Sequence, residues 1–162
     1  MNPHAIRFWL LTALLLLAVP AFAAETGSTL PRFAALRSSE VNLRAGPGVQ
    51  YPVEWVFLRR FLPIEITAEY GHWRKVRDVD GSEGWVHKSL LTSRRSALVT
   101  GAVRSLRRDP DANAAVVARV EAGVVGRLLA CAEDWCRIEI AGRKGWLPAT
   151  HLWGVYDGET VE

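Results

Sequence analysis

After one long apolar stretch at its start, the chain alternates apolar and polar residues in short runs separated by turn-forming residues. Val53 to Leu58, Leu62 to Ala68 and Trp73 to Val79 are rich in β-branched and aromatic residues with charges interleaved, a pattern that predicts strands. Between and around them stand turn signals: Ala45-Gly46-Pro47-Gly48, Tyr70-Gly71-His72 and Asp80-Gly81-Ser82. Downstream, Ala115 to Val120, Val124 to Cys131 and Trp135 to Ile140, followed by an Ala141-Gly142 turn, repeat the plan. Beyond the leading apolar stretch, no window of about 11 residues carries the apolar spacing of a helix. The expected class is therefore all-β. A unit of roughly 60 residues with about five such strands protects its strand edges by curling into a small barrel.

The plan occurs twice. Val41-Asn42-Leu43-Arg44-Ala45-Gly46-Pro47 stands against Val103-Arg104-Ser105-Leu106-Arg107-Arg108-Asp109-Pro110, with Leu43-Arg44 recurring as Leu106-Arg107. Trp73-Arg74-Lys75-Val76 returns as Trp135-Cys136-Arg137-Ile138, and Gly84-Trp85-Val86 as Gly145-Trp146-Leu147. The order is kept, and the spacing between copies shortens by a single position from each landmark to the next, a drift that falls in the loops. The chain thus reads as a diverged tandem duplication. Gly84 and Gly145, each before a bulky Trp, imply a close backbone approach or bulge. Gly46 and Gly48 are expected to supply positive φ in a turn, and Trp85 and Trp146 to pack. Arg59-Arg60 and Arg94-Arg95 are expected to mark a solvated turn and the linker between repeats.

Alternation also sorts the strand faces. Cys136, Ile138 and Ile140 form an apolar face, which leaves Trp135 with Arg137 and Glu139; Trp73 likewise shares its face with Lys75 and Arg77. One strand earlier, Val56 and Leu58 read as core, which places Trp55 and Phe57 on the opposite face. Trp55, Phe57 and Trp73 then form an aromatic set outside the first repeat's own core. Flat aromatic faces flanked by Arg or Lys suit sugar rings and extended peptides. The same set would serve equally well as the contact on which the second repeat packs, and both readings stand.

The start of the chain bears on compartment. Arg7 precedes the apolar run Phe8 to Val19, Pro20 breaks it, and Ala21-Phe22-Ala23 offers small residues where signal peptidase needs them. The run is about 12 residues, short of the ~20 that span a bilayer, so cleavage before Ala24 is expected and no membrane span remains afterwards. The formal net charge of +3, with basic residues scattered among acids, is too slight to argue for nucleic acid. Cys131 and Cys136 suit a disulfide in an oxidising compartment. Zinc is the rival reading, but two thiols without a nearby His or second Cys pair make a poor site, and their spacing is wrong for thioredoxin-like chemistry.

Val41-Asn42-Leu43-Arg44-Ala45-Gly46-Pro47-Gly48, Gly71-His72-Trp73-Arg74-Lys75-Val76 and Gly84-Trp85-Val86-His87-Lys88-Ser89-Leu90-Leu91 together resemble a bacterial SH3 domain. The second copy is degenerate at its start but keeps the Gly-Trp ending. The resemblance implies two tandem SH3-like β-barrels after a signal peptide: residues 1–23 as signal, 24–31 as a short lead, 32–93 and 94–156 as the barrels, and 157–162 as a tail. It also implies a groove between the first long loop and the residues after the Gly-Trp strand, which gathers Arg44, Tyr51, His87 and Tyr70. A groove for proline-rich peptides is incomplete in both copies, since His151 stands where the second copy would need Tyr. Resemblance and compartment imply an exported, non-catalytic binding module. Its ligand is then peptidoglycan of the cell wall, or alternatively an exported protein partner.

Catalysis is not expected. Both Cys fall in one predicted hairpin with no His near in sequence, so the thiolate–imidazole pair of a cysteine peptidase is missing. His72, His87 and His151 show no metal-type spacing, and carboxylate pairs such as Glu65 and Glu69 or Asp109 and Asp111 occupy ordinary strand and turn contexts. Gly46-Pro47-Gly48 lacks the Lys of a phosphate loop, and its Pro removes a donor. No metal or cofactor is expected.

Overall fold

The computed structural model describes residues 29–161; the predicted signal peptide and cleavage site lie outside the described residues. The first repeat contributes β1 (Arg32–Leu36), β2 (Val41–Arg44), β3 (Val53–Phe57), β4 (Pro63–Tyr70), β5 (Trp73–Arg77), β6 (Glu83–His87) and β7 (Leu91–Thr92). The second contributes β8 (Ser96–Val99), β9 (Arg104–Arg107), β10 (Val116–Val120), β11 (Val125–Ala132), β12 (Trp135–Ile140), β13 (Arg143–Pro148) and β14 (Leu152–Trp153). Each repeat forms its own seven-stranded sheet, ordered β3-β2-β6-β5-β4-β1-β7 and β10-β9-β13-β12-β11-β8-β14. The two orders are the same, so the duplication seen in the sequence is a duplication of topology. The only helical pieces among the described residues are short 3-10 turns, Lys88–Leu90 and Ala149–His151, at matching places. No helix there is long and apolar enough to cross a membrane.

Each repeat has its own core. Leu36, Val41, Leu43, Phe57, Ile64, Ile66, Val76 and Val86 fill the first; Val99, Leu106, Val120, Leu128, Ile138 and Leu147 stand among those filling the second. Bulges are duplicated too. The register slips between Leu43 and Arg44 where β2 meets β3, and between Val116 and Ala118 where β10 meets β9. It slips again between Ile66 and Ala68 and between Leu128 and Ala130. A bulge bends and twists its strand, and these let seven short strands coil. Gly84 and Gly145 are needed for close approach: an added Cβ would sit 2.6 Å from Leu43 Cγ and 2.6 Å from Leu106 Cγ respectively. Cys131 and Cys136 face each other across the β11–β12 hairpin and are bridged.

Three expectations need correction. Phe57 is not outside the core: it is 4% exposed, whereas Leu58 is 76% and Val56 is also exposed. Register decides this, because Phe57 lies opposite core Val41 and Trp55 opposite core Leu43, and directly opposed residues share a face. Alternation alone cannot choose between two faces that are both apolar. Gly46 and Gly48 do not adopt positive φ. They make room instead: a Cβ on Gly46 would fall 2.5 Å from the Tyr51 ring, and one on Gly48 would strike the Gln50 side chain. Arg59-Arg60 and Arg94-Arg95 are not simply solvated markers, since all four make contacts where the repeats meet.

The seam between repeats uses the outer faces of β1, β4 and β8 rather than the Trp55–Phe57–Trp73 set. Ala34 and Leu36 point into the first core, so Phe33 and Ala35 point out, yet both are buried. The Phe33 ring meets Trp153 edge-on at 5.1 Å and Tyr156 at 4.7 Å. Trp153 Nε1 donates to Pro63 O at 3.2 Å, and Ser96 Oγ to Phe61 O at 2.7 Å. Buried Glu65 accepts from Arg77 Nε at 2.9 Å, from Arg77 Nη2, and from the Tyr156 hydroxyl at 2.8 Å. Burial first, and then this bond to Glu65, push the Tyr156 phenol well above its ordinary value, which keeps it a donor.

Candidate functional site

The candidate site begins with Arg44, the last residue of β2. Its guanidinium turns back over the loop that follows and donates from Nη1 to Val49 O at 3.2 Å and Tyr51 O at 2.8 Å. The loop is thereby fastened, with the Tyr51 ring lying over Gly46. Across the sheet, Trp73 opens β5 opposite His87 at the end of β6, and the two rings meet edge-on at 5.5 Å. His87 Nδ1 accepts from the Ser89 backbone N–H at 3.3 Å and lies 2.8 Å from Ser89 Oγ. That bond makes Nδ1 the acceptor and leaves the proton of a neutral ring on Nε2. Between loop and aromatic wall lies a cleft of about 310 Å3, lined by Glu40, Asn42, Arg44, Val49, Trp73, His87 and Leu90.

The cleft therefore brings together Arg44, Trp73 and His87 from the residues predicted. Tyr51 sits beside it on the fastened loop, 40% exposed. Tyr70, at the far end of β4 and paired with Trp73, and Trp55, on the edge strand β3, are exposed and do not line it. Phe57 is core. Sequence reasoning missed Glu40, Asn42, Val49 and Leu90. Asn42 alone carried a usable signal, since it alternates with core Val41 and Leu43 and so must face outward.

The second repeat holds a matching cleft of about 250 Å3, lined by Val103, Arg104, Ser105, Arg107, Ala112, Trp135, Pro148 and His151. Arg107 Nη1 donates to Ala114 O at 2.8 Å. This is the Arg44–Tyr51 bond at the equivalent position of the second copy. Trp135 takes the place of Trp73, while Pro148 and His151 stand where the first repeat has His87 and Leu90. Burial first, and then the nearby Arg104 guanidinium, hold the His151 imidazole below its ordinary value.

Chemically, each cleft offers one flat indole, a guanidinium already committed to the loop, and a polar residue, Asn42 or Ser105, and the second adds the Arg104 guanidinium. The first adds a carboxylate, Glu40, at the same opening. Such a lining is suited to apolar stacking and scattered hydrogen bonds. No group of three or more His, Cys, Asp or Glu side chains among the described residues is arranged to hold a metal, and neither Cys is a free thiol.

Two solved structures are similar to this chain at low identity. NlpC1 from Trichomonas vaginalis is 15% identical with a TM-score of 0.35, covering 80% of this chain and 48% of its own. NlpC2 from Trichomonas vaginalis is 13% identical with a TM-score of 0.36, covering 78% of this chain and 49% of its own. The chain thus spans about half the length of these structures. None of the curated proteins matches it. The bacterial SH3 domain family matches twice, over residues 37–92 and 102–154, which is more than half of the sequence and covers most of each sheet. The chain belongs to the bacterial SH3 domain family and carries the domain in two tandem copies.

Proposed function

We propose that this chain is an exported, non-catalytic binding module for the cell wall, engaging peptidoglycan through the Arg44–Trp73–His87 cleft. The observation that carries the reading is the recurrence of the cleft. Through a divergence that replaced most lining residues, both repeats keep the loop-fastening Arg and the Trp opposite it. Wall polymer presents sugar rings and short peptides bearing both amino and carboxyl groups. An indole sharing one cleft with a carboxylate and a guanidinium complements that mixture. Export is supported by the apolar leader with its small-residue cleavage site and by the Cys131–Cys136 bridge, which fits an oxidising compartment.

Co-sedimentation of residues 24–162 with purified peptidoglycan sacculi across a salt series tests this. Retention is expected to survive moderate salt, and Trp73→Ala to weaken it by about tenfold or more, as loss of a central aromatic anchor does. Asn42→Trp, which fills the cleft from an exposed position, should act likewise without touching the core. Retention that vanishes with salt would mean only charge attraction. No retention at all would send the search to an exported protein partner.

A further inference from the structure

A third cleft, of about 410 Å3, opens on the seam and shares no residue with either of the clefts above. Its lining is assembled from four places: Arg59, Arg60 and Phe61 in the turn after β3; Arg94 and Ser96 at the junction of linker and β8; Val125, Gly126 and Arg127 on β11; Glu139 and Gly142 beyond them. Four arginines thus line one cleft with a single acidic residue, Glu139. Arg32 and Arg74 share Glu69, Arg77 holds Glu65 and Arg95 holds Glu159, whereas other arginines, including Arg44 and Arg107, make no ion pair among the described residues. Among the described residues, none of the four cleft arginines has an ion-pair partner.

Three of the arginines are held, not merely near: Arg59, Arg60 and Arg94. Arg59 Nη1 donates to Gly123 O at 2.6 Å, tying the first repeat's turn to the second repeat. Phe61 adopts φ 61°, a left-handed conformation costly for an aromatic residue. It is fixed there from both sides: its N–H donates to Leu36 O at 2.8 Å, and its carbonyl accepts from Ser96 Oγ at 2.7 Å. The strained turn leaves the ring half-exposed, with the Arg60 guanidinium 4.7 Å and the Arg94 guanidinium 4.3 Å from its centre. Packing against one ring holds two like charges within the same cleft, and a bound anion would offset their repulsion.

We propose that this seam cleft is a binding site for a phosphate-bearing ligand, with Arg60 and Arg94 as its principal contacts and Arg59 and Arg127 completing the charge. Arginine forks match the oxygens of phosphate in pairs. A doubly charged tetrahedral group answers a cleft lined by four arginines better than a carboxylate with its single charge. The site needs both repeats, because its lining comes from each. It is independent of the wall reading.

The test is calorimetric titration of residues 24–162 with inorganic pyrophosphate at fixed ionic strength, alongside the melting temperature. One saturable site per chain and a rise in melting temperature are expected, because a ligand that binds only the folded state stabilises it. Combining Arg60→Ala with Arg94→Ala should weaken binding by at least about tenfold. Arg60→Lys with Arg94→Lys keeps the charge but loses the fork, and should fall between. Binding no tighter than that of chloride or citrate at equal ionic strength, or unchanged in the alanine pair, overturns the proposal. Pelleting with phosphatidylglycerol vesicles separates the sources. Retention through the same two arginines marks a lipid headgroup, and pyrophosphate binding without vesicle retention marks a free phosphorylated molecule.

Discussion

Arg44 and Arg107 perform one task at equivalent positions, each holding a loop carbonyl with the same nitrogen. That pairing distinguishes a retained device from a chance surface arginine. The residues around them have diverged, and His151 shows a consequence. Where the first repeat has Leu90, the second has an imidazole whose Nδ1 is buried without a hydrogen-bond partner. Because burial and Arg104 depress its folded pKa, the unfolded chain takes up a proton near pH 6.5 that the folded state still refuses. The stability at stake is present above that value and is lost as pH falls through the folded pKa. His151→Leu should therefore flatten the decline in melting temperature between about pH 7.5 and 5.5. Parallel declines for variant and parent would show that His151 does not govern acid sensitivity.

At the scale of elements, the longer strands with interleaved charges were legible in the sequence, whereas β1 and β8 were not. Trp135–Ile140 has the bounds its alternation predicts, because one face meets the core and the other meets water. β1 and β8 escaped notice for the opposite reason. Arg-Phe-Ala-Ala-Leu and Ser-Ala-Leu-Val are buried on both faces, so no alternation marks them. Arg44, Trp73 and His87 were legible as cleft residues through their place in recognisable motifs. The seam cleft was not, since its arginines, from 59 to 127 in sequence, converge only after both repeats dock. The Cys131–Cys136 bridge spans one hairpin, and Cys131 also exchanges backbone hydrogen bonds with Val161 at 2.9 and 3.1 Å. Closing so short a loop stabilises by about 2 kcal/mol. Replacing both with Ala should lower the unfolding free energy by about that much, with added hydrogen exchange confined to β11, β12 and the chain end. Exchange spread evenly over both repeats would contradict this local role.

For the molecule as a whole, the seam decides whether the repeats are independent. Phe33, Ala35, Pro63 and Glu65 are buried on the outer face of the first sheet, where an isolated barrel would meet water. Exposing Phe33 alone costs about 2 kcal/mol, and Glu65 would lose the Tyr156 hydroxyl. The first repeat expressed alone should accordingly melt well below the full pair; equal melting temperatures would mean that the seam contributes nothing to stability.

The duplicated clefts, carried on repeats that the seam docks together, also bear on what kind of molecule the protein would grip. On the proposed function, two such sites on one body would convert the second engagement into an intramolecular event whose strength depends on effective concentration. A ligand offering one epitope gains nothing from this. A polymer that repeats its epitope at a reachable spacing gains avidity, and discrimination then rests on chain length more than on the chemistry of any single unit. Divergence of His87 and Leu90 into Pro148 and His151 would tune the second hold without removing it.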